Sequence, residues 1–454
     1  MSGAARDDSC SRRPARVARL AALVAVLTGG ACAPAFSEVT KVPSVPPVPS
    51  IPVVKVPGWP DQMRGVNIIL GRIKEADVEH LATDWRANHV RLMCGSFIGR
   101  RAPYDLDAGK IAKLHEVVEW CRKSGLYVVI NSQPPQWRRS PAEYWKSEAM
   151  QKKYTQAWVE IAKHYAAKGE AARVAYDLHN EPHGAGSAEK WPDLAREMTA
   201  AIRAVDKVHP IVIEPAGWGN AGGFKSFTPT GDERTVYSFH NYDPFNLTHQ
   251  VSPQGRTSGA DEAFSKSMAY PGVFKARNHL DPERWDKARI RRMQEPALEF
   301  RRKHKVRLWC GEFGCTRWAN GADRWMTDVI DLWEAEKIGW SWYSYREWYA
   351  MDLEKPTDTR DRSAPRSETE AVKIFKKYLA RTWRKKPPAS EAPREAASGA
   401  ERAANPEAAK ILRSARQAER AGLVEVAKTL YRKLVKEHPE SAEAGRARER
   451  LAEQ

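Results

Sequence analysis

The chain has 454 residues, of which 42% are hydrophobic and 29% charged, enough for one large domain with additions or for two or three smaller ones. Its formal net charge is +17, but no basic stripe with interleaved aromatic residues and no zinc-finger spacing occurs, which argues against a nucleic-acid-binding protein. The 17 Trp residues are more informative, because Trp fills cores and also forms flat platforms for sugars.

Residues 1–35 have the pattern of an export signal. The basic stretch SRRPARVAR precedes a short apolar run, LAALVAVL, and ACAPA then supplies small residues for cleavage. The apolar run is too short to span a bilayer, and no other segment is apolar enough to do so. We therefore expect an exported protein, secreted or periplasmic. Two variants stay open, namely a twin-arginine signal at Arg12 and Arg13 and a lipid anchor on Cys32.

Residues 36–60 are rich in proline and are expected to form a semi-rigid, extended linker. From 61 to 385, apolar runs alternate with amphipathic ones. The eight apolar runs are RGVNII, HVRLMC, LYVVIN, RVAYDLH, IVIEPA, TVYSFHNY, VRLWCGEF and GWSWYSY. The helices that follow them are expected at 74–88, 107–124, 141–169, 189–205, in a short stretch after the fifth run, and at 282–304, 323–336 and 367–382.

These eight units predict an α/β fold, the (β/α)8 TIM barrel. Near-continuous apolar runs are typical of parallel strands that are covered on both faces, and the helices repeat their apolar residues at three- and four-residue spacing. A doubly wound open sheet is the alternative. It is disfavoured because the first unit lacks a glycine-rich dinucleotide-binding turn.

Residues 386–404 should form a linker, and 405–454 a small α-helical segment. Asn405 and Pro406 start its first helix and Gly422 ends it; the second helix runs to Pro439, and Ser441 starts the third. The segment resembles a single tetratricopeptide repeat. Because such repeats normally need about three copies for stability, we expect it to dock on a protein partner, self-associate or pack on the barrel. A plain solvated helical tail is an equal alternative.

Four cysteines lie beyond the signal, too few for a disulfide framework in a domain of this size. Cys121 belongs to an amphipathic helix and is expected to be a buried thiol. Cys310 and Cys315 bracket a strand end, and their pairing in an oxidising compartment is left open.

Polar residues gather where the predicted strands end, which is where barrel enzymes place their active sites. They are Arg91 on the second strand, Asn131, Ser132 and Gln133 after the third, Asn180 and Glu181 after the fourth, His240, Asn241 and Tyr242 on the sixth, Glu312 on the seventh, and Trp340, Trp342, Tyr343 and Tyr345 on the eighth.

Glu181 and Glu312 should face each other across the barrel mouth. Glycoside cleavage requires two such carboxyl groups, one protonated to donate to the leaving oxygen and one ionised to attack or stabilise the sugar cation. Neighbouring groups can separate their pKa values in this way. Arg91 and Tyr242 are candidates to hold Glu312 ionised, and Asn180 is a candidate to bind the sugar 2-hydroxyl.

Residues 60–385 resemble glycoside hydrolase family 5, the cellulase family, through the motifs NHVRL, LHNEPHG, HNYDPFNLTHQ and GEFG. The resemblance implies a retaining glycosidase that cleaves a β-linked glycan, most of all β-glucan in the manner of an endoglucanase, without metal or organic cofactor. It makes Glu181 the general acid and base and Glu312 the nucleophile, with carboxyl groups about 5–5.5 Å apart. The other residues that it places around the substrate are Arg91, Asn180, His240 and Tyr242.

Two departures from the family pattern put the usual substrate in doubt. The family has Asp-x-His after the third strand, where this chain has Asn131 and Gln133. It also has a Trp platform on the eighth strand in the order Tyr-Trp-Ser-Tyr, whereas this chain has WYSY. Since strand side chains alternate between faces, only one of Trp342 and Tyr343 can point into the site.

Several loop residues are further candidates for substrate contact. The loop 245–280 is too long for a simple connector and is expected to wall one end of the cleft, with His249 and Gln250 early in it. Trp137 and Trp218 are candidate sugar platforms. The plainer alternatives are an ordered covering loop and buried core residues.

Two other functions are weighed against the hydrolase. One is a catalytically weak carbohydrate-binding or scaffold protein of the cell envelope that uses its helical tail for a partner. The other is a glycosidase for glycolipids or similar conjugates, which an apolar cleft entrance would favour.

Overall fold

Eight parallel strands close into a barrel, which confirms the predicted (β/α)8 architecture. The computed structural model describes residues 53–135, 137, 139–250, 268–274, 281–382, 406–420 and 424–452. The expected export signal with Cys32, most of the Pro-rich linker and the linker 386–404 lie outside these residues.

The described strands lie within or close to the predicted apolar runs, apart from a short antiparallel pair, β7 and β8, outside the barrel. The strands are β1 (Arg64–Ile69), β2 (His89–Met93), β3 (Tyr127–Asn131), β4 (Val174–Asp177), β5 (Ile211–Ile213), β6 (Thr235–Asn241), β7 (Gly272–Phe274), β8 (Glu283–Trp285), β9 (Arg307–Phe313) and β10 (Gly339–Trp342). Around the barrel the strands follow the order β1-β10-β9-β6-β5-β4-β3-β2, so its seventh and eighth strands along the chain are β9 and β10.

Helices cover the outside of the barrel. The described ones are α1 (Glu75–Thr83), α2 (Ala108–Lys123), α3 (Pro141–Lys146), α4 (Glu148–Ala166), α5 (Ser187–Arg203), α6 (Phe245–Thr248), α7 (Lys287–Met293), α8 (Glu295–His304), α9 (Ala322–Ala335), α10 (Glu370–Leu379), α11 (Pro406–Arg420), α12 (Val424–Glu437) and α13 (Ala442–Ala452). As expected, the fifth unit has only a short 3₁₀ helix, Ala221–Lys225.

Two predicted helices are each divided in the structure. The stretch 141–169 breaks at Ser147, because its hydroxyl caps a new helix by accepting a hydrogen bond from the Met150 N–H at 3.2 Å. The stretch 282–304 begins with the strand β8 and then divides at Gln294 into α7 and α8.

The floor of the barrel is apolar, and the end of the predicted linker is part of it. Val56 and Trp59 are buried, and the Trp59 ring packs edge-on against Tyr127 and Trp309 at centroid distances of 6.0 and 5.5 Å. The expected linker boundary at residue 60 is therefore too late, because composition alone did not reveal this buried anchor. The interior residues packed with them are Met63, Val129, Ala175, Val212 and Val236.

Strand register places polar side chains directly above this floor. Arg91 pairs in register with Val129, and Asp177 with Val212. Because successive side chains of a strand alternate between faces, Asp177 points inward like the floor residue Ala175 two positions before it. The carboxyl ends of the strands therefore carry a ring of buried polar groups above an apolar plug.

The C-terminal helices α11, α12 and α13 pack on one another, and their bounds agree with the three helices expected there. Their shared core consists of Ala408, Ile411, Leu412, Ala415, Ala427, Tyr431, Leu434 and Ala447. The Tyr431 hydroxyl also donates a hydrogen bond to Glu419 at 2.7 Å. Asn405 and Gly422 lie outside the described residues, and the likeness to a tetratricopeptide repeat stays a prediction.

The four cysteines of the barrel are buried free thiols. This confirms Cys121 as a buried thiol, but pairing of Cys310 with Cys315 is wrong for this structure. The Cys310 thiol instead contacts the Glu312 carbonyl at 3.3 Å, and the Cys315 thiol lies 3.9 Å from the Leu247 carbonyl. Within the described part of the chain, every helix is too short or too polar to cross a bilayer.

Candidate active site

Glu181 sits at the barrel mouth in the turn that follows β4, with a left-handed backbone (φ +47°) that is uncommon for a residue other than glycine. Three hydrogen bonds fix its main chain. Its N–H donates to Glu214 Oε2 at 2.7 Å, and its carbonyl accepts from Trp137 Nε1 at 3.2 Å and His183 Nδ1 at 2.7 Å. A strained backbone held by its surroundings is typical of a functional position.

Glu312 faces Glu181 from the carboxyl end of β9. Glu181, Glu312 and His240 each place one side-chain oxygen or ring nitrogen within 4.8 Å of the other two. Within the described residues these three could together hold a metal ion, yet each already has a hydrogen-bond partner inside the site. The structure therefore brings the two carboxylates together across the mouth, as the sequence predicted.

Arg91 lies under both carboxylates and is fully buried. Its guanidinium donates to five side chains, which are Asp177 (2.7 Å), Asn67 (3.1 Å), Glu312 (2.5 Å), Asn180 (2.9 Å) and Glu214 (2.7 Å). Although burial alone lowers the pKa of Arg91, these carboxylates raise it, so the residue is always a cation. Arg91 compensates the negative charge of Glu312 and orients Asn180 through the hydrogen bond to its side-chain oxygen.

His240 near the carboxyl end of β6 and Tyr242 directly after it contact the two carboxylates. The His240 ring places Nδ1 2.9 Å from Glu181 Oε1 and Nε2 3.2 Å from Glu214 Oε1. The Tyr242 hydroxyl donates a 2.9 Å hydrogen bond to Glu312 Oε2. With Arg91 on its other oxygen, Glu312 therefore accepts one charged and one neutral hydrogen bond.

The surroundings of the site shift the pKa values of its titratable groups in different directions. Burial raises the pKa of Glu181 to about 7, and the nearby charges of Glu312 and Glu214 act in the same direction, against His240. Burial also disfavours ionised Glu214, but His240 and Arg91 lower its pKa. Burial alone lowers the pKa of His240, yet Glu214 and Glu312 raise it well above its ordinary value. Glu181 can thus carry a proton at neutral pH beside a cationic imidazole.

A cavity of about 520 Å³ opens between the ends of β1, β2 and β3 and the chain after β10. Gln133, Asn131, Tyr343 and Glu347 line it, and the Tyr343 hydroxyl donates to Glu347 at 2.9 Å. The buried Nδ2 of Asn131 has no hydrogen-bond partner among the described residues. Gln133 and Tyr343 thus line one cavity, and their contact with substrate stays a prediction.

Trp342 does not reach this cavity, and its candidacy as a substrate-binding residue is not supported. Its ring is buried against Phe313 and Phe375, and its Nε1 donates to the Met351 carbonyl at 3.0 Å. Because side chains alternate along a strand, Trp342 lies in the layer between barrel and helices, and Tyr343 faces the mouth.

The two loop tryptophans have different roles. Trp137 is buried beneath the Glu181 turn, so it supports that turn and offers no open platform. Trp218 is 52% exposed and stacks on His183 at 3.5 Å, beside a second cavity of about 400 Å³. Of the loop residues, His249 stacks on Phe245 at 4.1 Å and packs edge-on against Tyr242 at 4.8 Å, whereas Gln250 is buried.

Three residues of the site were missed by the sequence analysis: Asn67, Asp177 and Glu214. Asn67 accepts from Arg91 and donates its amide to the Gly311 carbonyl at 3.0 Å. Glu214 follows β5 directly, and the sequence carried a signal for it: a carboxylate before proline after an apolar run, the same pattern that singled out Glu181. Asp177, inside the apolar run of β4, gave no comparable signal.

Comparison with known proteins agrees with this geometry. Residues 54–347 match the family described as "Cellulase (glycosyl hydrolase family 5)". Endoglucanase C of Acetivibrio thermocellus is 28% identical over 306 residues, which cover 62% of this chain and 85% of that protein. Cellodextrinase A of Ruminococcus flavefaciens is 27% identical over 250 residues, covering 53% of this chain and 68% of that protein.

The fold also resembles solved structures. The crystal structure of the endoglucanase Cel5A from Thermotoga maritima superposes with a TM-score of 0.55 over 70% of this chain and 96% of that one, at 22% identity. The cellulose synthase subunit Z of Clostridioides difficile gives a TM-score of 0.54 over 69% of this chain and 99% of that one, at 15% identity. These likenesses concern the barrel fold alone.

Proposed function

This chain belongs to glycosyl hydrolase family 5 and is a glycosidase, and we propose that it hydrolyses β-linked glucan chains with Glu181 as general acid and base and Glu312 as nucleophile. The observation that carries the assignment is the approach of the two carboxylates to within 4.8 Å across the barrel mouth. Retaining glycosidases hold their carboxyl groups about 5–5.5 Å apart, whereas inverting ones need about 6.5–9.5 Å to admit a water molecule.

In the first step, Glu312 attacks the anomeric carbon while Glu181 protonates the departing glycosidic oxygen. Arg91 at 2.5 Å and Tyr242 at 2.9 Å keep Glu312 ionised and aimed. Because burial raises the pKa of Glu181 to about 7, a large fraction of it carries the required proton at neutral pH. The products of this step are a sugar with a free hydroxyl and a glycosyl ester of Glu312.

In the second step, Glu181 acts in the opposite sense. Its carboxylate, left ionised by the first step, takes a proton from a water molecule that enters after the first sugar leaves. That water attacks the anomeric carbon, breaks the ester to Glu312 and releases the second sugar with its original anomeric configuration. Asn180, whose side-chain oxygen accepts from Arg91 at 2.9 Å, is oriented to donate its amide hydrogens to the 2-hydroxyl.

Two cavities lined by residues that follow the barrel strands support an extended glycan as substrate. On one side, Asn131, Gln133 and Tyr343 offer two amides and a ring at the larger cavity. On the other, the exposed ring of Trp218 offers a stacking platform next to the turn that carries Glu181. β-Glucan fits the names of the matched relatives, which include endoglucanases and a cellodextrinase.

A substrate panel tests the proposal. Purified wild type and Glu312→Gln would be assayed on β-glucans, mannan, xylan and aryl β-glycosides, with NMR detection of the first anomer formed. We expect wild type to release β-anomers from glucan and Glu312→Gln to be inactive. Initial release of α-anomers, or full activity in Glu312→Gln, would contradict the mechanism. Binding of glucan without hydrolysis by either protein would favour the carbohydrate-binding alternative.

We further propose that the protein acts outside the cytoplasm and that residues 405–454 bind a protein partner. The first proposal is supported by the basic, apolar and small-residue pattern of residues 1–35. The second is supported by the packed core of α11, α12 and α13, which is separated from the barrel by a segment rich in Ala, Pro and Ser.

A further inference from the structure

Glu214 is a third buried carboxylate of the site, and the two-step mechanism above gives it no task. It is fully buried directly after β5, and both of its oxygens are engaged. Oε1 lies 2.7 Å from Arg91 Nη2 and 3.2 Å from His240 Nε2, while Oε2 accepts the Glu181 N–H at 2.7 Å. Glu214 thus contacts the main chain of the acid, the acid's imidazole partner and the arginine that binds the nucleophile.

We propose, on the basis of the function proposed above, that Glu214 is a positioning residue that keeps both ring nitrogens of His240 protonated and so leaves the proton of Glu181 available to the leaving group. The His240 Nδ1 atom is 2.9 Å from Glu181 Oε1. When Nδ1 carries a hydrogen, Oε1 can only accept it, and the proton of Glu181 must sit on Oε2. An Nδ1 without a hydrogen would instead accept a hydrogen bond from protonated Glu181 and so hold that proton away from the leaving group.

The requirement for a negative partner follows from the chemistry of imidazole. The His240 Nε2 atom lies 3.2 Å from Glu214 Oε1 without hydrogen-bond geometry, so Glu214 acts on the ring through its negative charge, which favours a hydrogen on Nε2. A neutral ring with its hydrogen on Nε2 has a bare Nδ1, and only the cation carries hydrogens on both nitrogens. The cation is favoured by the negative charge of Glu214 at Nε2 and by Glu312, whose Oε2 lies 3.7 Å from Nδ1.

Other charged and titratable groups surround this trio of Glu181, Glu214 and His240 from every neighbouring strand. They are Arg91 on β2, Asp177 on β4, His179 and His183 in the turn after β4, Tyr242 after β6 and Glu312 on β9. Of these, Arg91 is shared by Asp177, Glu214 and Glu312, so the single cation cannot neutralise all three carboxylates. The excess negative charge is what the cationic form of His240 balances.

The loop after β5 is shaped to allow this contact. Gly219 has φ +64°, and its carbonyl accepts the His240 N–H at 2.8 Å. A Cβ atom at this position would come within 2.8 Å of Glu214 Oε2 and 3.3 Å of the His240 ring. Only glycine therefore lets the loop pass this close to the carboxylate and the imidazole.

The variant Glu214→Gln tests the inference, because it removes the charge and preserves the shape. The loss of this negative neighbour makes the His240 cation a stronger acid, so Nδ1 loses its hydrogen and holds the proton of Glu181 at a lower pH than in wild type. The alkaline limb of kcat/KM on cello-oligosaccharides should therefore move down by about one pH unit or more. An aryl glycoside with a strongly acidic leaving group needs no proton from Glu181, so it should lose much less activity. If the alkaline limb stayed in place and activity fell equally on both substrates, Glu214 would be merely structural.

Asp206→Asn is the matched control. Asp206 is also a buried carboxylate paired with an imidazole, since its Oδ2 lies 2.7 Å from His209 Nδ1, but it lies outside the site. The alkaline limb of kcat/KM for Asp206→Asn should coincide with that of wild type. If it moved as far as in Glu214→Gln, the shift would be a general consequence of removing a buried charge, and the inference would fail.

A measurement on the wild-type protein covers the case in which Glu214→Gln does not fold. Histidine labelled with ¹⁵N and assigned by comparison with His240→Gln should show both nitrogens of His240 protonated at pH 7. A neutral ring with a bare Nδ1 would overturn the inference. Failure of the proposed function is distinguishable, because it would appear as activity in Glu312→Gln, whatever the state of His240.

Discussion

Glu181→Gln should make the protein less active and, at alkaline pH, more stable. Glu181 has a pKa raised from 4.5 to about 7, chiefly by burial. Below pH 4.5 Glu181 is protonated in both the folded and the unfolded protein, so it does not change the free energy of unfolding. As pH rises towards 7, Glu181 ionises in the unfolded chain but stays protonated in the folded protein, so the wild type loses stability. Above 7 the loss is complete, and at about 1.36 kcal/mol per pH unit it amounts to about 3 kcal/mol.

Glutamine keeps an oxygen for the 2.9 Å contact with His240 and carries no charge, so the variant escapes this loss. Urea unfolding followed by Trp fluorescence at pH 4 and pH 8 measures the difference. We expect equal free energies of unfolding at pH 4 and an advantage of about 3 kcal/mol for Glu181→Gln at pH 8. Equal stabilities at both pH values would refute the raised pKa.

Asp206→Asn supplies a control of opposite sign. Burial by itself raises the pKa of Asp206, but hydrogen bonds from His209 and Tyr176 lower it below its ordinary value. A carboxyl of this kind stabilises the folded protein above the unfolded-state pKa and loses that effect in acid. Asp206→Asn should therefore be less stable than wild type at pH 8, and the difference should shrink as pH falls.

Three further predictions concern activity. On a natural glycan, wild-type kcat/KM should fall above about pH 7, where Glu181 loses its proton, and a profile that stays flat to pH 9 would contradict this role. Tyr242→Phe should lower kcat by roughly 10- to 100-fold, because a hydrogen bond to a charged group contributes about 1.5–3 kcal/mol. A decrease below twofold in a variant with an intact circular dichroism spectrum would count against the 2.9 Å contact with Glu312. Trp218→Ala should raise KM for long cello-oligosaccharides about fivefold, as the loss of about 1 kcal/mol of stacking predicts, with kcat on a small aryl glycoside unchanged; equal KM values would exclude the platform.

The barrel could be predicted because parallel strands covered on both faces leave a continuous apolar run in the sequence. The first run, RGVNII, coincides with β1 (Arg64–Ile69). Polar residues that follow such runs meet at one edge of the barrel whatever the intervening loops do. That geometry alone brought Arg91, Glu181 and Glu312 together from distant parts of the chain.

Other features depended on side-chain contacts that composition does not reveal. Trp59 belongs to a Pro-rich stretch that reads as a linker, yet its ring fills the bottom of the barrel against Trp309. The break of the third helix at Ser147 depends on one hydroxyl cap. The choice between Trp342 and Tyr343 needed the phase of β10, which is fixed when Trp340 and Trp342 both pack on Phe375.

Glu214 shows a different limit. Its local pattern, IVIEP, resembled the stretch that singled out Glu181, but the expected chemistry required two carboxylates and left no task for a third. Its function becomes visible only from the contacts with Arg91, His240 and the Glu181 N–H. Those contacts join residues of four strands or strand ends, and no spacing along the chain encodes them.

Trapping the covalent intermediate tests the central proposal most directly. A 2-deoxy-2-fluoro-β-cellobiosyl fluoride should inactivate the protein, because the 2-fluorine slows both formation and hydrolysis of the ester, whereas the fluoride leaving group speeds its formation, so the ester accumulates. Peptide mass spectrometry should then find the sugar on Glu312. A label on another carboxylate such as Glu214, or no label despite turnover of β-glucan, would contradict the assignment of Glu312 as the nucleophile.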